Sequence, residues 1–227
     1  MRLLGMGVPV GLQFSITAIG SVILQSAVNS LGAVCVSGVA VAGKIYMLLA
    51  CPFDALAMAA TNFTGQNLGA GKPERIKPVY RDCILTVLLI GVPMCALLYF
   101  FGQPLLGIYI AKDDPAYASV IASGMVRVTY MGMTYFVCGI METCCGMVRG
   151  LGRSWMPMVV TIFGACVLRI IWIYTIFQTH HTLDVLYLSY PVSWVVTSAV
   201  HVLCFVLIYR RMMARWYTHK EEENASY

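Results

Sequence analysis

Asp54, Glu142, Lys44, Arg127 and Arg169 stand inside long apolar runs of the chain. A charge at the centre of a membrane helix costs about 2.5–3.5 kcal/mol on insertion scales. Ionisable residues in such runs therefore face a protein interior or a water-filled cavity, and mark a pathway or a structural pair. Glu142 and Arg127 share the run Ser123 to Arg153 but are separated by about 22 Å of helix rise, too far to pair with each other. Glu142 lies about 10 Å from the basic turn that begins at Arg149. It can pair with Arg149 or with Arg169 as a structural lock, or supply the counter-charge for a transported cation. Asp54 follows Pro52, which removes a backbone donor and predicts a kink near Leu48. Carbonyls freed there, together with Asp54, suit a cation. The competing role for Asp54 is a neutral cluster with Lys44 or Arg127. Lys44 can instead snorkel toward the outer surface, and Arg169 can partner a carboxylate or backbone carbonyls.

Uncharged groups extend the pattern. Gln13, Thr17, Ser21, Gln25 and Asn29 recur in steps of four, which holds them near one face of a helix over about 24 Å. Two accounts fit this stripe: the polar wall of a water-filled cavity, or hydrogen bonding between helices. The run containing Glu142 also carries Tyr130, Tyr135, Met131, Met133 and Met141. Aromatic faces attract organic cations and methionine adapts to many shapes, although ordinary helix packing uses the same residues. His201 is read as a packing residue and the nine cysteines as small apolar ones. No pair of cysteines forms Cys-x-x-Cys, and no metal site or resident cofactor is expected. Gly65 to Lys77 looks like a phosphate loop, but Gln66 and Pro73 occupy positions where that motif needs Gly and Ser or Thr. No His-Glu-x-x-His or Gly-x-Ser-x-Gly occurs, so no enzyme activity is expected.

The elements that must position these groups follow from composition. The chain is 59% hydrophobic and 11% charged, with mean hydropathy +0.78, against roughly 25% charged residues in a soluble domain. An all-α membrane protein is expected, because helices satisfy the backbone in lipid and the apolar runs exceed barrel strands. Six spans are predicted, at 8–31, 34–62, 83–110, 118–148, 155–177 and 184–209. Lys72, Arg75, Lys77 and Arg81 follow the second, Arg149 and Arg153 the fourth, and Arg210, Arg211, Arg215 and Lys220 the sixth. The opposite side offers Lys112 against Asp113, Asp114 and Asp184. The positive-inside rule then places both termini in the cytoplasm. Residues 1–215 form one six-helix lobe and 216–227 a polar tail ending in Glu221, Glu222 and Glu223.

Several local runs point to a family. Gly65-Gln66-Asn67-Leu68-Gly69-Ala70-Gly71-Lys72-Pro73-Glu74-Arg75 resembles the loop after the second helix of a lobe in the multidrug and toxic compound extrusion (MATE) transporters. Gly7-Val8-Pro9 with Gln13 resembles the start of such a lobe. Arg149-Gly150-Leu151-Gly152-Arg153-Ser154, followed by Met156-Pro157, resembles the turn after its fourth helix. Arg169 and Tyr190-Pro191-Val192-Ser193-Trp194 agree as well. The resemblance implies the second of two six-helix lobes related by a pseudo-two-fold along the membrane normal. It implies a cavity between lobes that exchanges organic cations or other xenobiotics for Na⁺ or H⁺ across the plasma membrane. Glu142, Asp54, Gln13, Gln25, Asn29, Tyr130 and Met133 are then candidates for substrate or ion contact, and Lys44, Arg127 and Arg169 for structural charges. A second lobe, a copy or a separate chain, would complete the machine. In some family members the first helix of this lobe carries an acid, where this chain has Gln13 and Gln25. The alternatives are a related lipid-precursor or polysaccharide flippase, which predicts a strongly basic cavity, a six-helix channel, and a non-transporting remnant.

Overall fold

The computed structural model describes residues 2–225, with side chains at 4–218, 221 and 222; Met1 and the side chains of Lys220 and Glu223 lie outside this set. Nine α-helices are described: α1 Arg2–Asn29, α2 Ala33–Gly69, α3 Ile76–Gly107, α4 Tyr117–Arg127, α5 Tyr135–Gly150, α6 Trp155–Thr161, α7 Leu168–Tyr174, α8 Ile176–Thr179 and α9 Leu183–Ala225. Two π-helical segments, Val128–Gly132 and Ile162–Val167, join α4 toward α5 and α6 to α7. No strand occurs among the described residues. Five helical stretches are long and apolar enough to cross a membrane, and the bent pair Tyr117–Gly132 and Tyr135–Gly150 supplies a sixth. The chain is a multi-pass membrane protein, its outer surface studded with exposed Leu89, Phe100 and Leu48.

α2 is central. It packs on α3, α4 and α5, while α9 covers the other side of α5. α1 stands at the edge against α6, the second π segment and α7. Close packing of α2 on its neighbours depends on small residues: a Cβ on Gly38 would meet the backbone of Val120 and Gly124, and one on Gly146 the Ala57 carbonyl. Hydrophobicity alone does not drive helix association in lipid, so such close approach supplies the van der Waals contact.

Three departures from the sequence expectations stand out, and the first two have local causes. The fourth span is not one straight helix: it bends by 46° between Gly132 and Tyr135. The π segment widens the turn there, and the Thr134 hydroxyl donates to the Tyr130 carbonyl at 2.7 Å. A π-bulge with an inserted side chain is a recognised cause of a kink. The second span does not stop near residue 62. α2 continues through Pro52 and on to Gly69, so Gly65 and Gly69 are helical, and only Gly71, at φ +68°, turns the chain. Lys72 N–H donates to the Asn67 carbonyl and Gly71 N–H to that of Leu68. Arg153 N–H donates to Val148 and Gly152 N–H, at φ +77°, to Arg149 in the same way. Both basic turns are therefore Schellman caps with glycine at the left-handed position. Last, the sixth span, expected to end at 209, continues as α9 as far as Ala225.

Candidate functional site

One face of α5 carries Tyr135, Cys138, Glu142 and Arg149 at helical spacing, so all four point the same way. They look into a cavity of about 500 Å³ between α1, α2, α5, the α6–α7 stretch and α9. α1 brings Gln13 and Thr17 to it, α2 brings Asp54 and Thr61, α6 brings Thr161, α7 brings Arg169 and α9 brings Trp194. Two carboxylates and two guanidiniums thus line a single space. The second π segment borders it through Ala165, and Tyr135 lies just beyond the end of the first.

The charges in the cavity do not neutralise one another by contact. Among the described residues the one ion pair is Arg81–Asp82, on the exposed surface. The expected lock between Glu142 and Arg149 or Arg169 is absent, as is any pairing of Asp54 with Lys44 or Arg127. Each cation takes neutral partners instead. Arg149 Nη2 donates to Gln13 Oε1 at 2.9 Å, while its Nε is buried without a partner. Arg169 Nε donates to Ser193 Oγ at 2.8 Å, its guanidinium lies 3.9 Å from the Tyr190 ring centre, and its Nη2 is buried without a partner. Arg127 Nη1 donates to the Val39 carbonyl at 2.9 Å and sits over Tyr46 and Tyr187. Lys44 is exposed, with Nζ 5.2 Å from the Tyr109 ring near the loop that follows α3.

Aromatic rings form a wall behind Glu142. Tyr135 meets Tyr46, Phe53 and Trp194 edge to face at 4.7, 5.2 and 5.6 Å, and Trp194 meets Tyr190 at 5.5 Å. Such faces are suited to a desolvated cation. The structure therefore gathers Glu142, Asp54, Gln13 and Arg169 into one space. Lys44, Arg127, Gln25, Asn29, Tyr130 and Met133 lie outside it. Tyr130 packs against the core, and Met133 is exposed beside the bend. Trp194, Thr161 and Thr61 line the cavity although sequence gave them no such role. Arg149 was legible as a site residue by spacing, two helical turns beyond Glu142; Trp194 was not, because α9 returns to α5 only through tertiary packing.

The stripe on α1 divides in two. Gln13 is buried and makes an interhelical bond to Arg149. The rest turns inward on its own helix: the Thr17 hydroxyl donates to the Gln13 carbonyl, that of Ser21 to Thr17, and Gln25 Nε2 to Asn29 Oδ1 at 3.0 Å. Ser21, Gln25 and Asn29 are exposed. A polar face left open on a spanning helix needs water or another protein surface.

The lobe geometry has a counterpart in known proteins. The MatE family model matches residues 9–175. The chain belongs to the MatE family. The probable multidrug resistance protein YpnP of Bacillus subtilis (strain 168) is 26% identical over 167 residues, 74% of this chain and 36% of that protein. The probable multidrug resistance protein NorM of Thermotoga maritima is 24% identical over 169 residues, 74% of this chain and 35% of that one. A MATE transporter solved in complex with MaL6 superposes with TM-score 0.85 at 18% identity, covering 94% of this chain and 47% of that structure. A MOP superfamily transporter from Pyrococcus furiosus, for which reverse polarity of the binding pocket suggests a different function, gives 0.80 at 16% identity over 88% of this chain and 43% of that structure. The chain thus spans about a third of the curated relatives and under half of the solved transporters. The MatE family and this fold are those of membrane transporters rather than enzymes.

Proposed function

We propose that the chain is one lobe of a cation-coupled multidrug exporter that trades organic cations or other xenobiotics for Na⁺ or H⁺. It works in the plasma membrane with both termini in the cytoplasm. A second lobe, supplied by a copy, a separate chain or more of the same polypeptide, closes the cavity. The observation that carries this reading is the pair Glu142 and Asp54, neither ion-paired, in a cavity of about 500 Å³ walled by Tyr135 and Trp194. An unpaired carboxylate against aromatic faces can hold an organic cation or a small coupling ion in turn. Exchange requires only that occupation by one disfavours the other. No resident cofactor has a role in it.

The test is ethidium export from vesicles containing the chain and its completing lobe under an imposed Na⁺ or H⁺ gradient. Glu142→Gln should abolish gradient-driven export while leaving insertion and helicity intact. Export at the wild-type rate in that variant removes Glu142 from the mechanism.

One observation favours a second reading, a flippase for an anionic lipid-linked precursor. The cavity is more basic than sequence suggested, since Arg149 joins Arg169 and each keeps a buried nitrogen without a partner. The two carboxylates balance these cations, which keeps the organic-cation reading ahead. Inhibition of ethidium export by lipid pyrophosphates but not by lipophilic cations would reverse that order.

A further inference from the structure

Away from the cavity, the turn that ends α5 and the far part of α9 enclose a second hollow of about 330 Å³. Arg153, Arg211 and Arg215 form its charged rim, and Leu151, Ile208 and Met212 its apolar floor. The α9 residues sit at 208, 211, 212 and 215, a spacing that puts all four on one helix face with guanidiniums and apolar groups interleaved. Arg153 comes from the opposite wall, set there by the left-handed Gly152 of the Schellman cap. All three arginines are exposed. None has a carboxylate within 4.0 Å or donates a side-chain hydrogen bond to a protein acceptor among the described residues. The floor is no loose patch: Leu151 is nearly buried, and Ile208 and Met212 pack against the cluster around Met147, Val148 and Phe205.

We propose that this hollow binds the phosphate headgroup of an anionic phospholipid in the adjacent, cytoplasmic leaflet. Three guanidiniums from two walls match the several oxygens of a phosphodiester, which arginine contacts in forked pairs. Basic hollows between spanning helices on the cytoplasmic side are suited to such headgroups. The apolar floor favours a lipid over free phosphate. It gives the glycerol and first methylenes a surface, and on α9 it adjoins Leu207 and Leu203, exposed on the outside of the helix. Tyr217, exposed just beyond Arg215, stands where interfacial aromatics meet headgroups. A lipid here would bridge α9 to the α5–α6 turn, two parts of the lobe joined otherwise by the Phe205 cluster. The inference does not depend on what the lobe transports.

The test uses the purified 227-residue chain in detergent, with phosphatidylglycerol, phosphatidylcholine or inorganic phosphate as probe. Retained lipid is counted by native mass spectrometry and melting is followed by circular dichroism. Wild type should retain phosphatidylglycerol over phosphatidylcholine by about tenfold and melt higher with it, while inorganic phosphate does neither. Arg211→Gln with Arg215→Gln should erase the preference. Arg75→Gln with Arg210→Gln, which removes equal charge outside the hollow, should keep it. If the first pair fails to fold, Arg153→Gln from the other wall must show the same loss. Equal retention in both double variants would reduce the effect to diffuse attraction and overturn the site. Equal retention of the two lipids, or a matching stabilisation by inorganic phosphate, would also overturn it.

Discussion

Gln13 and Gln25 are the same residue type on one helix with opposite surroundings. Gln13 is buried and accepts a hydrogen bond from Arg149, whereas Gln25 is exposed and bonds only Asn29 one turn on. Leucine at Gln25 therefore removes no hydrogen bond to another helix of this lobe. Gln25→Leu should leave thermal stability within about 0.5 kcal/mol of wild type and still lower export severalfold, as a transport assay beside a melt will show. Full export with a lowered melting temperature would return the residue to helix packing. At this scale the sequence was informative about type and poor about partnership. Asp54 and Glu142 were visible as acids inside apolar runs, but their expected cationic partners are held elsewhere, by Ser193, Val39 and Gln13. Pairing depends on which rotamer a long guanidinium takes among several acceptors, and hydropathy carries no trace of it.

The helices show a sharper division between what was and was not legible. The number and order of the six spans follow from apolar runs near the length of a bilayer crossing, and the chain turns at the two glycine-rich basic runs, where Gly71 and Gly152 take positive φ. The bend of 46° in the fourth span does not follow, because a π segment inserts a residue without altering the apolar pattern. Nor does the extra length of α2, whose glycines at 65 and 69 read as a loop by propensity yet are helical. Gly65 lies against Gly150 of the neighbouring α5, so close packing there outweighs the conformational cost of glycine. Close helix approach makes a measurable claim. A Cβ at Gly146 would fall against the Ala57 carbonyl and 2.8 Å from Thr61 Oγ1, whereas one at Gly69 meets nothing within 4 Å. Gly146→Ala should destabilise by about 1–3 kcal/mol, and Gly69→Ala should be neutral or slightly stabilising. Equal melting temperatures in detergent would show that the α2–α5 contact yields freely.

At the scale of the molecule, the chain spans about half the length of a solved transporter of the same fold. Its fold covers 47% of a solved MATE transporter, and its first helix carries Ser21, Gln25 and Asn29 on an open face. A second lobe against that face would enclose the polar stripe and the mouth of the cavity together. The proposed exchange demands that an organic cation and the coupling ion compete for the unpaired carboxylates. The direct measurement is ethidium fluorescence on the purified, assembled protein while Na⁺ is raised or pH is lowered in separate titrations. Protonating Glu142 removes the counter-charge, and Na⁺ occupies it, so one of the two titrations should displace ethidium from wild type and have no effect in Glu142→Gln. Ethidium affinity indifferent to both ions, or displaced equally well in the variant, would contradict a cation-coupled lobe with its carboxylates in this cavity.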